Sequence, residues 1–431
     1  MRLEFARPLN DRLLLVRPNG MQYGHLALEI LMGLAKARAD RTDVCFLTSG
    51  HVVSPPLLEL ESSEVRIVRP ASVVRWWLRG RWWAAEVPEA AVVRRDAALE
   101  ALYHETGNEL SRHIVDESVP SDLRGLLRGL RLRIADRERR VRAERAISKP
   151  YFLRRLIVDP VPVSLRPRFG DRARAALLEL GIPADARLVT IHAREAGFKR
   201  GMEVHEKHER LGKSWHRDDG TRNSRIDSYI PAVEHLASRG YRIVRIGDPT
   251  MTPLRHPAVV DLATSPSRSQ AVEVECLLRS EFVLSGEAGP VGVSYLTNTP
   301  VLNVNVTDPI SSYPVRKTGL YLLKHVVDVE TRRELSAWDM LAVDYLSHVR
   351  DTARYRYQDN TSDEILAAVV EMLELLQGRM DETSVQRDYR QRATQAGEEL
   401  TAELPFVRKW GPDDGFLGHG RMARICFDRA A

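Results

Sequence analysis

Between residues 185 and 306, five short runs rich in β-branched and apolar residues alternate with segments of helical period: 188–192, 241–246, 258–262, 281–285 and 300–305. The intervening stretches 224–240, 270–279 and the residues after Pro290 carry the helical spacing, and the connections are short. Parallel neighbours in a sheet need a crossover, and a helix is the compact way to make one. The pattern therefore predicts an α/β protein built on a doubly wound parallel sheet. Ligands in such sheets collect where the strands release their carboxyl ends into loops.

Those strand ends carry the chemistry here. The first run stops at His192 and Arg194, with Gly197, Phe198, Lys199 and Arg200 following. An arginine in that place offers a flat, permanently charged fork to a phosphate. The second run ends at Gly247-Asp248-Pro249, a carboxylate for a base or a ribose. The fourth ends in Ser285-Gly286-Glu287-Ala288-Gly289, a turn of mostly small residues opening a helix, whose first amides have no intrahelical acceptor and suit phosphate oxygens. Each feature is common by itself; a cation, a carboxylate and a helix start on strands of one sheet make a nucleotide site.

The first half repeats the strand-turn-helix theme once. The run 12–17 meets Pro18-Asn19-Gly20, then Met21-Gln22-Tyr23-Gly24-His25, then a helix from Leu26 onward. The Gly-x-x-x-Gly spacing is not a dinucleotide fingerprint, which needs a third glycine and an acidic ribose reader. Further strands are expected at 42–48 and 64–68. Two Trp-Trp pairs at 76–77 and 82–83 suit packing better than ligand stacking. The charged helical stretch of about 84–148 reads as an insertion, and the proline-bearing stretch 151–170 as a linker. The expected organisation is an N-terminal domain over 1–165, a nucleotide-binding domain over 166–380, and a helix and tail over 381–431 returning to the first domain. Within the last part, a helix is expected over 334–350, another over 363–377 capped by Thr361 or Ser362, and a glycine-rich tail over 411–428.

Charge and cysteine content exclude several classes. A net charge of +5 invites a nucleic-acid reading, but only eight of 64 basic residues are lysine and the arginines alternate with acids, so solvated helix faces and an anionic small molecule account for it. No nucleic-acid partner is expected. No apolar run approaches the length of a membrane span, and the charged N-terminus lacks a signal core. Cys45, Cys276 and Cys426 stand far apart, which suits a reducing cytoplasm. His205, His208 and His216 lie among acids without metal-ligand spacing, so no metal is expected. A homodimer is compatible with all of this.

NGMQYGHLALE, IHAREAGF, RNSRIDSYIPAVEHLASRGYRIVRIGDP, VLSGEAGP, PVLNVN and QDNTSDEI together resemble a bacterial family of glycosyltransferases found in polysaccharide and natural-product gene clusters. More distantly, the His-x-Arg strand end and the glycine turn before the first helix look like those of GDP-fucose-dependent transferases. The resemblance implies a GT-B architecture, with two Rossmann-like domains facing across a cleft, donor on the second and acceptor mainly on the first. It implies that Arg194 holds the β-phosphate of a nucleotide sugar, GDP-linked by the fucosyltransferase likeness, with no separate cofactor. His192, Lys199, Gly247, Asp248, Ser285, Gly286, Ala288 and Gly289 are the other expected donor-binding residues, and Gly24, His25, Arg222 and Asn223 the acceptor or sugar contacts. Departure of a nucleotide diphosphate needs its developing charge stabilised, which arginines, lysines and helix amides can do without a metal. His25 is the first candidate general base and Glu287 the second. The expected reaction is inverting transfer to a small molecule, such as a thiol of the kind used in lincosamide assembly, or to a growing glycan. A non-catalytic nucleotide- or sugar-binding protein and a sugar-nucleotide epimerase are the alternatives on the same fold.

Overall fold

The computed structural model describes residues 13–16, 18, 23–46, 52–69, 160–197, 219–401 and 418–429. The chain divides into two compact units, with the main boundary between Phe169 and Gly170 and the short segment Tyr295–Asn298 grouped with the first. The Trp-Trp pairs, the stretch 84–148 and the histidines at 205, 208 and 216 lie outside the described residues.

In the first unit, strand β1 (Leu13–Val16) leads into helix α1 (Tyr23–Asp40) and then β2 (Asp43–Phe46), which pairs parallel with β1. Leu26, Ile30, Leu31 and Leu34 are buried, as their spacing on one helix face predicts. The expected strand at 64–68 is reduced to a single parallel bridge, Val44 to Ile67, anchored by Val44 N–H to Arg66 O and Val68 N–H to Val44 O. Part of the expected linker is structured. Strand β3 (Leu60–Glu61) pairs antiparallel with β4 (Ser164–Leu165), and helix α2 (Pro167–Glu179) follows at once, passing into the second unit at Gly170. Pro167 fits the first helical position because no acceptor awaits an N–H there. Gly181, at φ +78°, ends the helix in the left-handed conformation.

The second unit is organised by a seven-stranded sheet in the order β13-β10-β9-β8-β5-β6-β7, parallel at every pairing. Its strands are β5 (Leu188–His192), β6 (Arg242–Arg245), β7 (Val259–Asp261), β8 (Phe282–Ser285), β9 (Val301–Val306), β10 (Gly319–Leu323) and β13 (Arg421–Met422). The antiparallel pair β11 (His325–Asp328) and β12 (Tyr355–Gln358) stands apart. Helices α3 (Ile230–Ser238), α4 (Gln270–Arg279), α5 (Gly289–Thr297, in this unit up to Ser294), α6 (Val343–Ser347), α7 (Ser362–Leu376) and α8 (Ser384–Thr401) complete the unit. Every residue of β5, β8, β9 and β10 is buried, as a parallel sheet covered on both faces requires. The chain is thus α/β with a doubly wound sheet, as expected from the alternating pattern.

Several local expectations change. The helix expected from residue 224 begins at Ile230, preceded by a 3-10 turn over Ile226–Tyr229, because Pro231 cannot donate an N–H to an earlier turn. In place of a helix over 334–350 there are a short 3-10 turn, Asp339–Leu341, and α6. Helix α7 carries a full capping box: Thr361 Oγ1 accepts from Glu364 N–H while Glu364 accepts from Thr361 N–H. Helix α8, the segment expected to return to the first domain, packs in the second unit beside β13. Gln386 on it donates to Glu371 and to the Met422 carbonyl. The tail supplies the sheet's edge strand β13, and Gly418 and Gly420 lie so close to Pro314 that a Cβ on either would stand 2.4 Å from it.

Candidate functional site

Strand β5 is followed outward by β6 and β7 on one side, while the chain returns to lay β8, β9 and β10 on the other. The order therefore reverses between β5 and β8, where Ile191 pairs with Leu284 and His192 with Ser285. That reversal is the topological switch point at which open α/β sheets bind ligands.

Three of the expected elements meet there. Arg194 follows β5, and its Nη1 donates to Asn223 Oδ1 at 2.5 Å. Its carbonyl accepts from Ser224 N–H at 3.0 Å, so the Arg-Asn block lies directly against the loop. Gly286 follows β8 and donates its N–H to the His192 carbonyl at 3.0 Å. A Cβ added to Gly286 would stand 3.5 Å from Ser224 Oγ and 3.9 Å from both Arg194 N and Tyr229 Oη. Helix α5 opens three residues later, at Gly289, with Ala288 accepting from Val291 N–H. Ser285 is fully buried, and its hydroxyl donates to the Gly286 carbonyl.

His192 is buried and carries no charge at neutral pH: burial pushes its pKa down to about 3, and the Arg245 and Arg194 charges add to the fall. Its Nδ1 has no hydrogen-bond partner. Lys199 lies outside the described residues.

Glu287 does not present a free lone-pair edge. Its Oε2 accepts from Thr307 N–H at 3.1 Å and Thr307 Oγ1 at 2.6 Å, and its Oε1 from Ser312 Oγ at 2.8 Å and from Arg350 Nη2. A carboxylate engaged by four donors is poorly disposed to abstract a proton, and this geometry fits a brace better than the base expected from the sequence. Arg222, at the end of the 3-10 turn Asp219–Arg222, lies in the same electrostatic neighbourhood. Burial lowers its pKa; Glu287 opposes that fall and Arg350 deepens it. Glu287 and Asp308 hold the Arg350 guanidinium above its ordinary range against burial.

Gly247 and Asp248 serve the neighbouring loop. Gly247 sits at φ +153°, and a Cβ there would lie 2.4 Å from Met251 Sδ. Asp248 Oδ1 accepts from Thr250 N–H at 2.9 Å and from the Thr250 hydroxyl, closing its own turn. Gly197, from the β5 loop, packs directly on Thr250. Gly24 and His25 stand in the first turn of α1 in the first unit, with His25 exposed.

Residues passed over in the sequence tie this edge together. Arg245 on β6 is completely buried and donates to Glu195 at 3.2 Å, Asp261 at 3.1 Å and the Thr252 carbonyl at 2.6 Å. Glu195 in turn accepts from Thr252 N–H and Oγ1. A charged residue inside RIVRI, a run otherwise fit for a buried strand, was the available signal. Among the described residues, no group of three or more His, Cys, Asp or Glu is placed to hold a metal ion. No helix among them is long and apolar enough to cross a membrane.

No protein-family model matches this chain, and neither does any curated protein. Solved structures do. The ADP-heptose lipopolysaccharide heptosyltransferase II of E. coli is 12% identical with a TM-score of 0.40, over 86% of this chain and 100% of that one. A glycosyl transferase family 9 protein from Veillonella parvula is 10% identical with a TM-score of 0.41, over 86% of this chain and 99% of that one. The NodZ α-1,6-fucosyltransferase co-crystallised with GDP is 12% identical with a TM-score of 0.29, over 68% of this chain and 94% of that one. At such identities and scores, the site is read from its own residues.

Proposed function

We propose that the chain is a GT-B glycosyltransferase whose second unit binds a nucleotide-diphosphate sugar at the β5–β8 switch point. One observation carries the reading: Arg194, Gly286 and the start of α5 converge where the strand order reverses. Together they offer a fixed guanidinium and helix-start amides to a diphosphate, the group whose charge grows as a glycosidic bond breaks. Arg222 and Asn223 border the same site, and Ser285 and Ala288 shape the turn. In this reading Asn223 orients Arg194 and Glu287 braces the turn through Thr307 and Arg350. A GDP-linked donor, inversion and metal independence are the finer parts of the proposal. So is His25 as the base that activates a small-molecule or glycan acceptor.

A thermal-shift panel of GDP, ADP, UDP, dTDP and CDP, with and without EDTA, tests it. GDP and ADP are included because solved structures named above are described with GDP or an ADP-sugar. A ligand at 100 times its Kd stabilises by about 2.7 kcal/mol, a visible rise in melting temperature. Stabilisation by one diphosphate, unaffected by EDTA and lost in Arg194→Ala, is expected. Equal stabilisation of wild type and Arg194→Ala would remove the phosphate role, and no response to any nucleotide would remove the reading. With donor and acceptor supplied, His25→Ala at wild-type kcat would withdraw the base assignment.

A further inference from the structure

We infer that Lys324 and Asp359 are positioning residues for Arg194, acting through Asn223. Lys324 follows β10 and Asp359 follows β12, and both are remote in sequence from the strand end they serve. The Lys324 side chain is 3% exposed, and its ammonium donates to Asp359 Oδ1 at 2.6 Å and to the Asn223 carbonyl at 2.7 Å. The second Asp359 oxygen accepts from Arg225 N–H at 3.1 Å. Ser224 N–H, between them, donates to the Arg194 carbonyl at 3.0 Å. Three consecutive residues are thus held by their backbone: one by an ammonium, one by the β5 loop and one by a carboxylate. The side chain so fixed is Asn223, whose Oδ1 receives Arg194 Nη1.

A buried ammonium is costly to keep unless it is paired and hydrogen-bonded. Asp359 alone would pair Lys324; its second contact, on the Asn223 carbonyl, extends the pair to the residue holding the arginine. Charge-assisted donors also make the firmest clamps on a carbonyl. The arrangement explains why the Arg222-Asn223 block and the Gln358–Ile365 stretch, more than 130 residues apart, both belong to one site.

The test uses the full chain labelled with 15N-arginine, with the Arg194 Nε–Hε resonance assigned by its loss in Arg194→Lys. In Lys324→Met with Asp359→Asn, no buried charge is left unpaired and an acceptor for Arg225 N–H remains. The Arg194 resonance is expected to move to where Asn223→Ala places it, with no further movement in the triple variant, because the two act in series. Should that variant not fold, Lys324→Gln with Asp359→Asn keeps a donor toward Asn223 and is expected to move the resonance part of the way. A folded variant with the Arg194 resonance unmoved, or shifts that add in the triple variant, would overturn the inference.

The second readout rests on the nucleotide reading proposed above: affinity for GDP, or for ADP if wild type prefers it, should fall about tenfold, equivalent to about 1.4 kcal/mol. It should fall no further when Asn223→Ala is added. If wild type binds none of the five nucleotides of the panel, the functional reading fails while the resonance comparison still decides the positioning role.

Discussion

Arg245 gives the sharpest test of how the candidate site is held. Its side chain is fully buried and meets Glu195, Asp261 and the Thr252 carbonyl, so it joins the loops that follow β5 and β6 to the end of β7. Replacing it with methionine keeps most of the stem volume and removes the charge. Breaking a buried ion pair from one side costs about 3–5 kcal/mol, because the remaining charge is left without its partner. Here the abandoned groups are partly provided for. Asp261 keeps Leu254 N–H at 2.7 Å and Thr264 Oγ1 at 3.0 Å, and Glu195 keeps Thr252. Glu195 is also 24% exposed and can regain water.

The lower end of the range therefore applies, about 3 kcal/mol, and at about 2–4 °C per kcal/mol for a unit of this size the melting temperature should fall by about 6–12 °C. Asp261→Asn, which keeps an acceptor and leaves Arg245 with Glu195 and Thr252, should cost only about 1–2 kcal/mol. The double variant should cost less than the sum by at least about 1 kcal/mol. Calorimetry on the four proteins decides the matter. A loss under about 1 kcal/mol for Arg245→Met, or strict additivity, would show that the buried arginine does not hold the two loops and the end of β7 together.

Further outcomes follow from individual groups. Gly286→Ala should fold normally, since its new Cβ meets Ser224 Oγ at an ordinary 3.5 Å, yet weaken binding of the stabilising diphosphate more than about tenfold by filling the space beside Arg194; equal affinity by calorimetric titration would count against a ligand at the switch point. His192 titrates near 3 folded and near 6.5 unfolded, so the unfolded chain binds the extra proton between those values and stability falls as pH drops through that window, by up to about 1.4 kcal/mol per unit. Urea unfolding at pH 4, 5 and 7 should show a shallower fall for His192→Gln. His325 lies between Glu364 and Glu334, and its pKa is raised chiefly by the Glu364 hydrogen bond, so its contribution is complete below its unfolded pKa and is lost as pH rises through the folded one; His325→Gln should flatten the stability profile on the alkaline side of about 6.5. Thr361→Ala should cost about 1 kcal/mol through loss of the α7 cap, read by the same unfolding curves.

How far the sequence discloses this site depends on the range of the interactions. The α4 boundaries, 270–279, and the alternation of strands with helices are local properties, so periodicity and punctuation were enough. The β12 strand was also local: Tyr355 is buried, Arg356 exposed and Tyr357 half-buried, an alternation masked by the helical neighbours expected on either side. Strand β13 has only two residues and exists because β10 offers it an edge, which no local pattern records. The same division applies to the site. Arg194 and Gly286 could be singled out because their place at a strand end is local. The engagement of Glu287 could not, since its donors come from Thr307, Ser312 and Arg350.

Under the proposed function, the nonlocal contacts also account for a preformed anion site at the β5 loop. It is held from two sides by networks that share no residue. Toward β6, Glu195 is fastened to Thr252 and Arg245, and Gly197 packs on Thr250. Toward β8, Arg194 is fastened to Asn223 and Ser224, which Lys324 and Asp359 hold in turn. Electrostatic stabilisation is most effective when the dipoles and charges are already in place, since nothing must reorganise as charge develops. A loop anchored on one side could swing toward a phosphate and would lose conformational entropy in doing so. One anchored on both holds its guanidinium on Asn223, and under the proposed function binding draws on the attraction without that loss.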